Sequence, residues 1–194
     1  MVNDRKRKKI LEEVFERVIE TVGEDIKRDG LRKTPKRVAK SILELTEGYS
    51  ISPYSVINGA IFDQDNKDDN EIVLIKDIEY FSLCEHHILP FFGSCHVAYI
   101  PNGKIIGLSK IPRIVNVFAK RLQVQERLTS QIADFIEEVL SPRGVAVMME
   151  GFHLCVASRG IEKTKSKMST TSFRGVFSHH KMKREFFELI SKDR

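Results

Sequence analysis

The sequence predicts an α+β protein in which strands pair through hairpins and helices occupy separate stretches of the chain. Apolar residues recur at helical spacing near both ends, whereas Ile- and Val-rich runs bounded by turn residues fill much of the second half. Two helical stretches lie between the strand runs, which favours hairpin pairing over a doubly wound parallel sheet. The 194 residues suffice for one compact domain with a smaller appendage.

The composition is that of an ordinary globular protein with an excess of positive charge. Hydrophobic residues make up 41% and charged residues 30%, values that exclude a disordered or collagen-like chain. The 32 Lys and Arg against 27 Asp and Glu give a net charge of +5. This balance suits an anionic partner, and composition alone leaves open whether that partner is a nucleic acid or a phosphorylated small molecule.

Cysteine usage and hydropathy indicate a cytoplasmic protein. Three cysteines are too few for a disulfide scaffold and point to metal-binding or catalytic thiols in a reducing compartment. Uninterrupted apolar runs stay well short of the roughly 20 residues of a membrane helix. The first residues have no apolar core or cleavage site of a secretory signal, so we expect neither export nor a membrane partner.

The first 70 residues predict a helical region followed by a connector. Apolar spacing predicts a helix over residues 8–28, which ends at Asp29-Gly30. Thr34 is the expected cap of a second helix, with Pro35 at its first position, that runs to about residue 47. Residues 49–70 read as irregular. We therefore expect a helical region and connector over 1–70 and a catalytic domain over 71–194.

The remaining residues alternate between strand and helix patterns. Residues 71–83 predict a strand, and a second pair of strands flanks the turn dipeptide Asn102-Gly103. Ser109 is placed to cap a helix over 110–121, and a further helix is expected over 125–140. The last expectations are a strand over 144–158, a polar segment over 166–177 and a terminal helix near 180–191.

Cysteine and histidine cluster in two short segments, Cys84-Glu85-His86-His87 and His153-Leu154-Cys155. Thiolate and imidazole are the ligands that zinc prefers, and a Cys-x-x-His spacing is a common chelating pair. On a regular strand Cys84 and His87 point to opposite faces, so both reach one ion only if the chain turns there. If the second segment is a strand, its histidine lies on the same face as Cys155.

The number of ligands favours a catalytic site. Cys84, His87 and Cys155 supply three ligands, which leaves a position for water, and zinc lowers the pKa of such a water to roughly 7. The alternative is that these residues are buried thiols and core histidines that are apart in space. The sequence has neither the H-E-x-x-H motif of metalloproteases nor the signature of nucleobase deaminases.

Basic residues lie close to the metal segments in the sequence. Lys110 and Arg113 lie three apart at a predicted helix N-terminus, where free amide groups favour phosphate. Arg159 follows the second metal segment. Each cation taken singly is also consistent with a solvated surface charge. Glu126, at the start of a predicted helix, alone indicates only compensation of the helix dipole.

Several of these segments together resemble the GTP cyclohydrolase I family. The resemblance runs in the same order over about residues 18–190 and is carried by the blocks FSLCEHH at 81–87, AYIP at 98–101, IGLSK at 106–110, QVQERLT at 123–129 and CVASRG at 155–160. GED at 23–25 and TPKRVAK at 34–40 are similar to the family as well.

The resemblance implies a tunnelling fold, in which antiparallel sheets form a barrel in a toroidal homodecamer with active sites between subunits. The implied reaction converts GTP and water to formate and 7,8-dihydroneopterin triphosphate, the first step of pterin and tetrahydrofolate biosynthesis. The implied cofactor is Zn²⁺ on Cys84, His87 and Cys155. GTP and further copies of the chain are then the partners, and nucleic acid is not.

The resemblance also implies roles for the remaining residues. His86 and His153 match acid–base histidines, and Ser109 matches a residue near the ribose. The implied guanine contacts are Glu126 and Gln125, and the implied triphosphate contacts are Lys110, Arg113 and Arg159, with Arg37 and Lys40 from another subunit.

Two alternative functions are also consistent with these residues, and each predicts a different experimental result. A related tunnelling-fold enzyme acting on another substrate, or stopping after ring opening, would yield a different product. A zinc-stabilised module for RNA or DNA would retain metal without turnover and would bind in a salt-sensitive way.

Overall fold

The computed structural model describes residues 4–64 and 71–192, and the chain forms two compact units, Met1–Glu47 and Gly48–Arg194. The first unit holds α1 (Asp4–Thr21) and α2 (Thr34–Leu45), which pack against each other. Helix α1 ends earlier than predicted because Gly23 has a φ of 94°, a left-handed backbone that favours glycine and ends a helix. Residues 22–28, which the apolar spacing assigned to the helix, instead form turns and irregular backbone.

The start of α2 is partly as predicted. Pro35 lies in the first turn, as expected. The capping position, however, belongs to Lys33, and Thr34 is already helical. The Thr34 hydroxyl donates a hydrogen bond back to the carbonyl of Gly30 (3.2 Å), so it closes the preceding turn and the prediction that it caps α2 is wrong.

The second unit combines one large sheet, a two-stranded sheet and several helices. A 3₁₀ turn over Glu47–Tyr49 leads into it, and a second 3₁₀ turn, Val176–Ser178, precedes the last helix. The strands are β1 (Ile61–Asp63), β2 (Val73–Cys84), β3 (Pro90–Ile100), β4 (Lys104–Ile106), β5 (Leu122–Gln123), β6 (Gly144–His153) and β7 (Met168–Gly175). The helices are α3 (Pro53–Ile57), α4 (Lys110–Ala119), α5 (Gln125–Leu140), α6 (Leu154–Ala157) and α7 (His180–Ser191).

The large sheet is curled into a half-barrel and has the order β5-β2-β3-β6-β7. The pairs β2–β3, β3–β6 and β6–β7 are antiparallel, whereas the short β5 pairs with the end of β2 in parallel. The α+β prediction is confirmed. The polar segment expected over 166–177 contains β7, because its alternating side chains pair along β6.

The predicted strand, Asn102-Gly103 turn and second strand are confirmed, but the two strands do not form a hairpin. Strands do flank this turn, and Gly103 has the positive φ (78°) that such a turn requires. They do not pair with each other, because β3 lies between β2 and β6 whereas β4 pairs with β1. Residues 49–70 were expected to be irregular, but they contain helix α3 and strand β1. Residues 65–70 of this stretch lie outside the described part of the chain.

The boundary between the compact units lies upstream of the predicted domain boundary at residue 70. The backbone N–H of Gly48 donates to the carbonyl of Lys120 (3.0 Å), and a Cβ at Gly48 would overlap the carbonyl of Val117. Together with the β1–β4 pairing, this close approach joins residues 48–64 to the second unit. That catalysis belongs to residues 71–194 stays a prediction.

The two faces of the sheet bury different side chains. Because side chains alternate along a strand, Val97, Val147 and Met149 face the core beneath α4 and α5, whereas Ala98 and Ala146 pack with α7. The same alternation puts Gly151 and His153, at the end of β6, on the α5 side. No helix among residues 4–64 and 71–192 combines the length and apolar character needed to cross a bilayer.

Candidate metal centre and active site

Two thiols and one imidazole meet where β2 and β6 end. Cys84 is the last residue of β2, His87 lies in the turn that follows, and Cys155 lies in α6. One potential ligand atom from each lies within 4.8 Å of the other two. Cys84 is buried, Cys155 is half-buried and His87 is exposed, so the group opens to solvent on the imidazole side.

A tight turn brings Cys84 and His87 together, as the sequence spacing requires. The backbone N–H of Ile88 donates to the carbonyl of Cys84 (2.8 Å), and the N–H of Cys84 donates to Leu89 (2.9 Å). Ile88 has a φ of 54°, a left-handed conformation that is costly for a β-branched residue. The Nδ1 atom of His87 consequently lies 3.8 Å from the Cys84 sulfur.

Cys155 reaches the group by a route that the sequence did not predict. The strand expected over 144–158 ends at His153, and helix α6 begins at Leu154. Cys155 and His153 therefore do not share a strand face. A helical turn, rather than strand alternation, carries Cys155 toward Cys84.

The chemistry of the three side chains fits a thiophilic cation. Burial raises the pKa of the Cys155 thiol, the neighbouring Cys84 raises it further, and the Arg159 guanidinium opposes both. Two thiolates this close repel each other unless a cation lies between them, and metal binding removes thiol protons for this reason. Two sulfurs and an imidazole are donors typical of zinc.

An ion pair fastens the loop between the ligands to the neighbouring helix. The Arg127 guanidinium, in the first turn of α5, donates to the Glu85 carboxylate and, through Nε, to the side-chain oxygen of Gln123 (3.1 Å). The backbone N–H of Glu85 also donates to the carbonyl of Gln123 (3.0 Å). The hydrogen bond from Arg127 lowers the pKa of Glu85, against a smaller effect of burial.

Arg127 is a residue of this site for which the sequence predicts no role. The signal available was its position beside Glu126 and the acidic residue between Cys84 and His86. Neither shows that residues 42 apart in the chain form a pair.

The two predicted acid–base histidines have different surroundings. His86 is exposed, with Nδ1 3.9 Å from the Cys84 sulfur and Nε2 4.0 Å from the Glu85 carboxylate. His153 is half-buried and stacks on Phe91 with ring centroids 4.6 Å apart and planes 6° from parallel. Burial lowers the pKa of His153, whereas the Glu126 charge raises it.

Gln125 and Glu126 are neighbours with opposite exposure. The Gln125 side chain is buried, and its oxygen lies 2.9 Å from Nε2 of His153. Glu126 is exposed in the first turn of α5, near enough for its charge to act on His153. Glu126 is thus open to a ligand, while the Gln125 side chain is already bonded within the protein.

The predicted anion-binding residues fall into three places. Ser109 and Arg113 are exposed and Lys110 is half-buried at the start of α4, where Ser109 holds the capping position with helical rather than extended backbone (φ −66°, ψ −11°). Arg159 is exposed just after α6. Arg37 and Lys40 are exposed on α2 of the first unit, and Lys40 pairs with Glu44 (3.5 Å).

The structure therefore brings together the residues at the ends of β2 and β6 and the start of α5. These are Cys84, His86, His87, Gln125, Glu126, His153, Cys155 and Arg159. The contact of α4 or α2 residues with the same ligand stays a prediction.

Comparison with known proteins decides the family. The family model of GTP cyclohydrolase I matches residues 11–191, nearly the whole chain. The chain belongs to the GTP cyclohydrolase I family. The resemblance seen in the sequence is thereby confirmed, and the protein is an enzyme.

Members of the GTP cyclohydrolase I family from several bacteria match along almost their full length. GTP cyclohydrolase 1 of Methylococcus capsulatus is 51% identical over 184 residues, which cover 94% of this chain and 98% of that protein. The enzyme of Bacteroides thetaiotaomicron is 51% identical over 180 residues (93% and 90% of the two chains), and that of Campylobacter concisus 49% over 189 (95% and 98%). Membership in this enzyme family disfavours the alternative of a zinc-stabilised nucleic-acid module.

Proposed function

We propose that the protein converts GTP and water to 7,8-dihydroneopterin triphosphate and formate with a zinc ion on Cys84, His87 and Cys155. The observation that carries this proposal is the approach of two thiols and an imidazole to within 4.8 Å, with His153 two residues before Cys155. Family membership supports the substrate and the reaction.

When bound, the zinc ion supplies Lewis-acid activation of the water that attacks C8 of guanine. His153 protonates N7 of the guanine, which makes C8 more electrophilic. His86, on the exposed side of the ligand turn, carries protons as the bonds from C8 to the ring nitrogens break and the carbon leaves as formate. Imidazole suits both tasks because its ordinary pKa of about 6.5 lets it give and take protons near neutral pH.

In this proposal, one acidic and several basic side chains bind the nucleotide. The Glu126 carboxylate accepts hydrogen bonds from N1–H and the 2-amino group of guanine, a pair of donors that adenine does not have. Lys110 and Arg113, at the N-terminus of α4, and Arg159 contact the triphosphate, with Ser109 near the ribose. In an assembly, Arg37 and Lys40 reach the triphosphate from another subunit.

We further propose that copies of the chain assemble into a toroidal decamer of the tunnelling fold, with the active sites between subunits. Strand β7 supports this proposal, because it forms an edge of the curled sheet. Edge strands offer backbone groups with which a neighbouring copy can pair. Three free thiols support a reducing, cytoplasmic location.

The decisive experiment is a product assay on the purified, zinc-loaded protein with GTP. We expect stoichiometric formate and a pterin that fluoresces after oxidation and has the mass of dihydroneopterin triphosphate. A ring-opened product without cyclisation would assign the chain to a different reaction. Zinc binding without formate release would overturn the proposal.

A further inference from the structure

The side-chain amide of Gln125 is oriented by acceptors on two strands. Its nitrogen lies 3.2 Å from the carbonyl oxygen of Met149 and 3.0 Å from that of Met168. Carbonyl oxygens only accept hydrogen bonds. Rotating the amide by 180° would put its own oxygen against both carbonyls, so the NH₂ group must face them.

A chain of hydroxyl groups supports the same orientation. The Thr129 hydroxyl donates to the backbone carbonyl of Gln125 (2.7 Å), which uses its single proton. Thr170 therefore donates to Thr129 across 2.6 Å, and its lone pairs face the Gln125 nitrogen at 3.1 Å, whose two protons are shared among this hydroxyl and the two carbonyls. Each hydroxyl in this series of hydrogen bonds can therefore donate its proton to one partner only.

The Gln125 oxygen consequently faces His153. Oε1 lies 2.9 Å from Nε2 of His153 and 3.3 Å from the Tyr80 hydroxyl. An amide oxygen has only lone pairs, so the histidine nitrogen must carry the proton of this hydrogen bond. In a neutral imidazole only one nitrogen is protonated, which leaves Nδ1 with a free lone pair.

Packing keeps the ring in this position. Phe91 stacks on one face of the His153 ring and fixes its plane, and the hydrogen bond to Gln125 fixes its rotation within that plane. Gly151, two residues before the histidine, leaves the space for the contact. A Cβ at Gly151 would overlap Gln125 Oε1 and the Tyr80 hydroxyl.

We propose that Gln125 is a positioning residue that fixes the His153 ring and holds the neutral imidazole as the Nε2–H tautomer, with the Nδ1 lone pair directed away from Gln125. The tautomer follows from the contacts alone. The use of Nδ1 in catalysis rests on the proposed function, in which Nδ1 first takes up a proton and then passes it to N7 of the guanine. This role differs from the substrate contact that the family resemblance implies for the Gln125 side chain.

The test is ¹⁵N magic-angle-spinning NMR of zinc-loaded protein labelled at histidine, with a His153→Phe variant to identify the signal. We expect the two ring-nitrogen signals of His153 to show a protonated Nε2 and an unprotonated Nδ1. The opposite tautomer, or an equal mixture, in the unaltered protein would overturn the proposal without any reference to activity.

Variants show whether Gln125 is the cause. Gln125→Met removes the acceptor at similar size, and we expect a mixture of tautomers; Tyr80→Phe keeps the acceptor, and we expect the signal of the unaltered protein. Gly151→Ala displaces Oε1 by a second route and should resemble Gln125→Met. An unchanged signal in Gln125→Met, or an equal change in Tyr80→Phe, would count against Gln125.

Kinetics separate positioning from substrate binding. For Gln125→Met we expect kcat to fall by about 10–100-fold, by analogy with the loss of partners that orient metal-binding histidines, with KM for GTP nearly unchanged. A large rise in KM with unchanged kcat would show that the Gln125 side chain binds the substrate and does not position His153. Failure of the proposed function would instead leave the NMR result intact while no variant, nor the unaltered protein, released formate.

Discussion

The metal centre and the start of α4 are built in different ways. At the metal centre, side chains from β2, α5, β6 and α6 meet, and the histidine beside the trio bonds to a residue 28 positions away. The start of α4 is local: Ser109, Lys110 and Arg113 lie within one turn, and the backbone N–H of Lys110 bonds to the carbonyl of Gly107 (2.8 Å).

This difference predicts how each region responds to change. In the metal centre one lost group leaves buried partners unsatisfied, so effects are large and extend to its neighbours. At the exposed helix start, water replaces a lost contact and the effect stays with the ligand that the residue binds. The expected effects therefore decrease from the metal ligands to the start of α4.

Loss of a ligand sulfur gives the largest effect. In Cys155→Ser, zinc falls well below one ion per chain and formate release falls to background, because a serine hydroxyl stays protonated and does not replace a thiolate. Metal analysis and the formate assay measure both. The matched control is Cys95→Ala, which removes a buried thiol outside the trio and keeps metal and turnover. Full zinc content in Cys155→Ser would remove Cys155 from the ligands.

Loss of the stacked histidine comes next. His153→Ala keeps its zinc but lowers kcat by roughly 10²–10⁴-fold, the usual contribution of a general acid–base group. Single-turnover formate release measures it. His180→Ala, an exposed histidine at the start of α7, should retain full activity. If formate release from His153→Ala is normal, another group protonates the guanine.

Loss of the ion pair that fastens the ligand loop gives an intermediate effect. Arg127→Met lowers zinc affinity by about 10–100-fold, because the loop carrying Cys84 and His87 is no longer anchored to α5. A competition titration with a chelator measures the Kd. Arg174→Met breaks another ion pair of the same helix, with Asp134 (2.6 Å), and should leave zinc affinity unchanged. Equal affinities for Arg127→Met and the unaltered protein would make the pair irrelevant to the metal.

Loss of a cation at the start of α4 gives the smallest effect. Lys110→Met raises KM for GTP about 10-fold or somewhat more, since a hydrogen bond to a charged group contributes roughly 1.5–3 kcal/mol. Zinc content and kcat stay the same. Lys104→Met, an exposed lysine of β4, is the comparison, with no expected change in KM. A loss of zinc in Lys110→Met would show that the start of α4 is coupled to the metal centre, so that the two regions would not respond independently.

Local patterns predicted the α+β class and most elements. The helices expected over 125–140 and 180–191 agree closely with α5 and α7. In both, the apolar residues that recur at helical spacing are on the face that is buried in the fold. Prediction failed where a distant partner decides the pairing. Strand β4 pairs with β1 and not with β3 across the turn, and the polar β7 is a strand because β6 lies beside it.

The sequence by itself determined which groups this protein offers: two thiols, an imidazole and the turn that Cys84 and His87 need to reach one ion. Residue type and short spacing carry that information, because chelation by neighbours depends on local geometry. Only the tertiary structure decided that α6 brings Cys155 to them, that Arg127 binds Glu85 and that Gln125 orients His153. Those contacts join residues far apart in the chain, and their geometry exists only once the sheet and α5 have packed together.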